Sequence, residues 1–159
     1  MGKDMFSETT GLSSPHRSLP MSLLRAREAV MERFRPLLKA HDFTEQQWRV
    51  LRILNEAEEL DATKLAGRAN ILMPSLTRIL KLLVARELVE TRGDPRDRRR
   101  VLARLTARGQ EAIRLMTPPS QEIYAGIEAE FGSERLTALL DELEALIAAV
   151  SGPEEPPGG

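Results

Sequence analysis

The chain has 159 residues, a length that suits one compact domain with extensions. Hydrophobic residues make up 42% and charged residues 30%, which favours a helix-rich globular protein, and only 4% is aromatic, so Leu, Ala, Ile and Val must build the core. There is no cysteine, which excludes disulfides, thiolate catalysis, cysteine zinc sites and thiol redox sensing. No apolar run approaches the ~20 residues that cross a bilayer, and the N-terminus lacks the residue order of a signal peptide. A cytoplasmic protein with no membrane partner is expected.

The formal net charge of -1 hides an uneven distribution. Seven arginines (92, 96, 98, 99, 100, 104 and 108) stand against Asp94 and Asp97, whereas from residue 120 onward nine acidic residues face the single Arg135. The basic stretch is suited to a polyanion, and the acidic end is not.

Residues 1–20 are rich in Gly, Ser, Thr and Pro and read as a disordered arm. From Ser22 to about Ala40 apolar residues recur at helical spacing (Leu23, Leu24, Val30, Met31, Phe34, Leu37, Leu38), with Pro36 expected to kink the helix. Thr44 and Gln47 form a capping box for a second helix reaching about Ala57. Asp61 caps a short third helix, Ala62 to about Ala69. A fourth helix runs from Met73 to Glu87, with Pro74 in its first turn. Leu76, Ile79, Leu80, Leu83 and Val84 lie on one face of it, and Thr77, Arg78, Lys81 and Ala85 toward the other. Residues 88–92 and 100–105 alternate with period two around turn-forming residues 93–97, a two-stranded hairpin with an arginine-rich tip. Thr106 caps a fifth helix that Pro118 and Pro119 are expected to interrupt, with Thr117 capping its continuation. A last helix begins near Gly132-Ser133 and ends at Val150, and residues 151–159 form a flexible tail.

The fold expected is mainly α with a small two-stranded β-hairpin: a winged helix-turn-helix over 44–106, with helices at 21–43 and 107–150 forming a dimerisation region. The second helix of such a motif enters the major groove of duplex DNA. Here that is the fourth helix, with Arg78 suited to guanine, Lys81 to guanine or phosphate, and Pro74, Ser75 and Thr77 near its N-terminal end. Arg96 and Arg98 at the wing tip are expected at the backbone or minor groove. Asp97, unfavourable in a phosphate-binding loop, is read as a brace that pairs with Arg99. The apolar residues Leu139, Leu143, Leu146 and Ile147 of the last helix are expected at a homodimer seam that matches palindromic half-sites.

Three segments, Thr44–Leu51, Ile71–Leu80 and Asp94–Arg99, resemble the MarR family, and the similarity extends from about Ser22 to Val150. The resemblance implies a dimeric winged-helix repressor that releases its operator on binding a small aromatic acid. A pocket for such an acid needs cations and an apolar wall, for which Arg27, Arg35, His41, Trp48 and Arg49 are the candidates. The Pro118-Pro119 pair and the long N-terminal arm depart from the family's general pattern.

An enzyme is not expected. His16 and His41 are the two histidines, and no phosphate loop, metal-ligand cluster or nucleophile motif is present, so no cofactor or metal is assigned. The competing reading is a winged helix that binds a protein partner and has no small-molecule effector.

Overall fold

The computed structural model describes residues 17–152; the expected arm up to residue 16, with His16, and the tail from residue 153 lie outside them. The chain divides into two compact units, one ending at Pro119 and the other beginning at Ser120.

Helix formation in the first unit follows its caps. Helix α1 (Leu19–Ala40) starts where the Ser18 hydroxyl accepts the Met21 amide at 3.4 Å, so Leu19 and Pro20, expected in the arm, form its first turn. Helix α2 (Glu45–Ala57) has the expected capping box: the Gln47 amide donates to Thr44 Oγ1 and the Thr44 amide to Gln47 Oε1, both at 3.1 Å. That exchange satisfies the amide of Gln47 while its side chain is buried. Strand β1 (Glu59–Asp61) leads into helix α3 (Ala62–Ala69), where Asp61 Oδ1 accepts the Lys64 amide at 2.9 Å. Asn70 closes α3 in the left-handed conformation, which the short polar side chain of Asn tolerates better than most.

Helix α4 (Met73–Ala85) follows after a short connection. Strands β2 (Val89–Asp94) and β3 (Asp97–Leu105) form the hairpin. Helix α5 (Ala107–Phe131) begins under a cap in which the Gly109 amide donates to Thr106 Oγ1 at 3.0 Å. Leu51, Leu54, Leu65, Leu76, Leu83, Val50 and Val89 are among the side chains completely withdrawn from solvent. Each contributes about 1.5–3 kcal/mol of burial free energy, which welds α2, α3 and α4 to the hairpin.

Two expectations are corrected. The sheet has three strands, in the order β1-β3-β2, all antiparallel. The third strand is only three residues long and pairs far along the chain, Glu59 opposite Arg104 and Asp61 opposite Leu102, so no local alternation announces it. Helix α5 also runs through Pro118 and Pro119 without a break. The two prolines deprive the carbonyls of Arg114 and Leu115 of donors, and both residues are exposed, where water can supply the missing bonds. Thr117 does not start a new helix; its hydroxyl donates back to the Ile113 carbonyl at 2.7 Å.

The second unit contains the end of α5 and helix α6 (Ser133–Val150), which starts after Gly132 at φ 101°. No residue of α6 is buried. Leu143 and Leu146 are half-buried, while Leu139, Leu140, Ile147 and Val150 are exposed.

Candidate nucleic-acid interface

Helix α4 is two-faced because its apolar residues recur at helical spacing. Leu76, Ile79, Leu80 and Leu83 are buried, which turns Pro74, Thr77, Arg78 and Lys81 outward into solvent. Ser75 is half-buried. The Thr77 hydroxyl donates to the Met73 carbonyl at 3.0 Å, so in this rotamer its oxygen can accept but has no hydrogen left for a phosphate. A Thr77–phosphate bond therefore requires a rotamer change.

The helix is held at both ends by arginines. Arg49 Nη1 on α2 donates to the Ala69 carbonyl at 2.8 Å, gripping the end of α3 just before the turn into α4. Arg86, immediately after α4, donates to the carbonyls of Asp42 at 2.6 Å and His41 at 3.2 Å. Its guanidinium also lies 4.4 Å from the centre of the Phe43 ring.

At the wing, β2 and β3 turn through Pro95-Arg96. Asp94 Oδ1 accepts the Arg96 amide at 2.9 Å, and Asp97 Oδ1 accepts the Arg99 amide at 3.0 Å, so each aspartate binds the backbone two residues on. The guanidinium groups of Arg99 and Arg100 are 3.9 and 3.8 Å from the Asp97 carboxylate, at the outer limit of ion pairing. Asp97 thus grips the wing mainly through the Arg99 backbone. The wing base is clamped by Arg92, which donates twice to Glu59 on β1, at 3.0 and 2.8 Å. Those bonds hold the Glu59 carboxyl below its ordinary pKa. Arg104 pairs with Glu90, and Arg108 with Glu87 at 3.0 Å.

A division follows within the basic stretch. Arg92, Arg99, Arg100, Arg104 and Arg108 have acidic neighbours. Among the described residues, the side chains of Arg96 and Arg98 have none, and neither do those of Arg78 and Lys81 on α4. Sequence reasoning singled out these four cations but missed the internal partners, Glu59, Glu87 and Glu90, that occupy most of the others.

The five candidates for an acid pocket do not form one cluster. Arg27 and Arg35 converge on the Glu45 carboxylate, each at 2.9 Å, and both also bond Glu28. Partial burial pushes the Glu45 pKa up, but the bonds from Arg27 and Arg35 outweigh it and hold the carboxyl below its ordinary value. Half-buried Trp48 lies against Phe43, with ring centres 5.9 Å apart, and the His41 carbonyl is taken by Arg86. Arg49 points away to Ala69. Glu28, Glu45, Phe43 and Arg86 are the site neighbours that sequence reasoning did not name; Glu45 stood in the capping segment, where an acidic residue already has a helical explanation.

Three packed helices, an antiparallel wing and an outward cationic face define a winged helix-turn-helix protein of the DNA-binding type. The MarR family model matches residues 43–101, the span from the start of α2 into β3. The homoprotocatechuate degradative operon repressor of Escherichia coli is 43% identical over 140 residues, covering 88% of this chain and 95% of that protein. The chain belongs to the MarR family, whose members are transcriptional regulators and not enzymes. Among solved structures, the transcriptional regulator PA4135 superimposes with a TM-score of 0.80 at 41% identity, covering 87% of this chain and 98% of that one. NadR in complex with 4-hydroxyphenylacetate gives a TM-score of 0.74 at 41% identity, covering 84% and 94%. No helix of the described residues is long and apolar enough to cross a membrane.

Proposed function

We propose that the protein is a transcriptional repressor that binds a palindromic operator as a homodimer and releases it when a small aromatic acid binds. The observation that carries the DNA reading is the division among the cations. Arg78, Lys81, Arg96 and Arg98 are exposed and have no acidic partner among the described residues, while Arg92, Arg104 and Arg108 each pair with a glutamate and Arg99 and Arg100 share Asp97 at the outer limit of ion pairing. Unpaired cations on a reading helix and a wing tip are the groups a phosphate backbone and base edges require. In this reading Arg78 reads a guanine and Lys81 a guanine or phosphate. Pro74, Ser75 and Thr77 lie along the backbone, and Arg96 and Arg98 approach the adjacent groove.

Dimerisation is supported by apolar surface that one copy leaves in water. Leu19, Leu23 and Leu24 on α1 and Leu139, Leu140 and Ile147 on α6 are all exposed. In this reading Leu139, Leu143, Leu146 and Ile147 supply the seam, and residues 21–43 and 107–150, which flank the DNA-binding domain at 44–106 in sequence, act in dimerisation.

The effector reading rests on two relatives: a repressor of a homoprotocatechuate operon and a regulator solved with 4-hydroxyphenylacetate. Arg27 and Arg35 are the cations for the acid's carboxylate, with Trp48 and His41 nearby on the chain and Arg49 as the link to the reading helix. Because Glu45 occupies both arginines, the acid binds by replacing that partner. Such a ligand lowers DNA affinity only if it prefers the DNA-incompetent arrangement. The test is calorimetric titration of the protein with 4-hydroxyphenylacetate and with homoprotocatechuate, alone and bound to the duplex upstream of its own gene. The reading requires that duplex to weaken acid binding by the factor by which acid weakens duplex binding. Equal acid affinity in both states contradicts it.

A further inference from the structure

Leu72, the residue before α4, is 79% exposed, more than any other large apolar side chain among the described residues. It occupies the helix's capping position and makes no side-chain capping bond. The other helices of the first unit all have an oxygen there, from Ser18, Thr44, Asp61 and Thr106. A leucine at this place neither caps nor fills the core. Two sources of stability are forgone at one residue, which is the pattern of a surface kept for a ligand.

The position fixes which ligand. Leu72 stands at the end of the reading helix whose first residues approach base edges in helix-turn-helix complexes. Unpaired Arg78 and Lys81 on the outward face of the same helix set the polarity of the surroundings to that of a polyanion's partner. In the major groove the apolar group presented at a base edge is the C5 methyl of thymine. We propose that Leu72 reads a thymine methyl in each operator half-site and so adds sequence preference that Arg78 and Lys81 cannot supply. Met73, 41% exposed one residue later, begins the helix itself and serves as the control. This inference rests on the DNA-binding reading above.

The test uses the full chain and a duplex selected by it from a random library. Each thymine is replaced in turn by deoxyuridine, which pairs identically and lacks only the methyl. Wild-type protein is expected to lose about fourfold in affinity at one thymine per half-site, the value of one buried methyl. The Leu72→Ala protein is expected to bind the thymine and deoxyuridine duplexes equally, and Met73→Ala to keep the discrimination. Leu72→Ser, which restores a capping oxygen, is expected to raise Tm by about 2–4 °C while losing the discrimination. Wild-type protein that binds every deoxyuridine duplex as well as its parent overturns the inference, as does a Leu72→Ala protein that still discriminates. A fall in Tm for Leu72→Ser assigns the leucine a structural role and overturns it too. Protein that selects no duplex at all overturns the DNA-binding reading, and this inference with it.

Discussion

Arg49 on α2 donates to the backbone carbonyl of Ala69 at the end of α3, across 2.8 Å. The bond satisfies one of the carbonyls that a helix leaves unpaired at its C-terminal end. It also fixes the place from which the chain turns into the reading helix. A charged donor on a partly buried carbonyl is worth about 1.5–3 kcal/mol. Arg49→Ala is therefore expected to lower unfolding stability by about 1–2 kcal/mol in urea titration, and to weaken duplex binding although Arg49 is not on the outward face. Unchanged DNA affinity in the folded variant contradicts this positioning role.

Glu45 joins Arg27 and Arg35 on α1 to the start of α2. Its depressed pKa means that the folded state favours the ionised carboxylate. The associated stability is full above the ordinary glutamate pKa of about 4.3 and is lost as pH falls through the depressed folded value. Thermal melts between about pH 5 and pH 2 should show a steeper loss for wild type than for Glu45→Gln. Near pH 7 the variant is expected to be less stable by no more than about 1 kcal/mol, since both arginines are well exposed. If Glu45 is the partner that an aromatic acid replaces, Glu45→Gln also binds 4-hydroxyphenylacetate more tightly than wild type.

Gly109 holds the first turn of α5 against the hairpin. A Cβ built there lies 2.1 Å from the Leu88 carbonyl oxygen, a backbone atom that cannot swing aside. Leu88 also accepts the Thr106 amide at 3.1 Å, so a shift of that carbonyl disturbs the cap as well. Gly109→Ala is expected to cost about 3 kcal/mol, measured by denaturant unfolding. A change below about 0.5 kcal/mol, the scale of an ordinary surface substitution, contradicts the packing described.

Arg98 and Arg92 lie on the same wing and should behave differently. Arg98→Ala is expected to leave Tm unchanged and to reduce the salt slope of duplex binding by about two for a dimer, about 0.9 for each phosphate lost. Arg92→Ala removes the two hydrogen bonds to Glu59 and is expected to loosen the tie between the outer strands β1 and β2 across β3, with a smaller effect on the slope. Equal slopes for the two variants contradict the division between paired and unpaired arginines.

Much of this architecture is legible in the residues because its signals are local. The capping box at Thr44-Gln47, the Asp61 cap, the apolar spacing of α4 and the turn residues around Pro95 each act within a few positions. What is not legible depends on distance in sequence or on solvent. Strand β1 exists only through pairing with residues more than forty positions away. The continuity of α5 depends on whether carbonyls freed by two prolines face water. At the site, the outward cations of α4 follow from periodicity, but the acids that pair with Arg92, Arg104 and Arg108 do not. Glu59 lies more than thirty positions from Arg92, and Glu87 more than twenty from Arg108, so no local pattern pairs them.

The four unpaired cations of α4 and the wing tip are proposed to bind duplex DNA. That binding is tested most directly by measuring affinity for the duplex upstream of the protein's own gene, and for a scrambled duplex of equal length, across a series of salt concentrations. The expected result is a fall in log affinity with log salt of about 0.9 per phosphate neutralised, a total slope steeper than about -4 for a dimer, and tighter binding to the upstream duplex at every salt. A flat salt dependence, with no preference between the two duplexes, contradicts it.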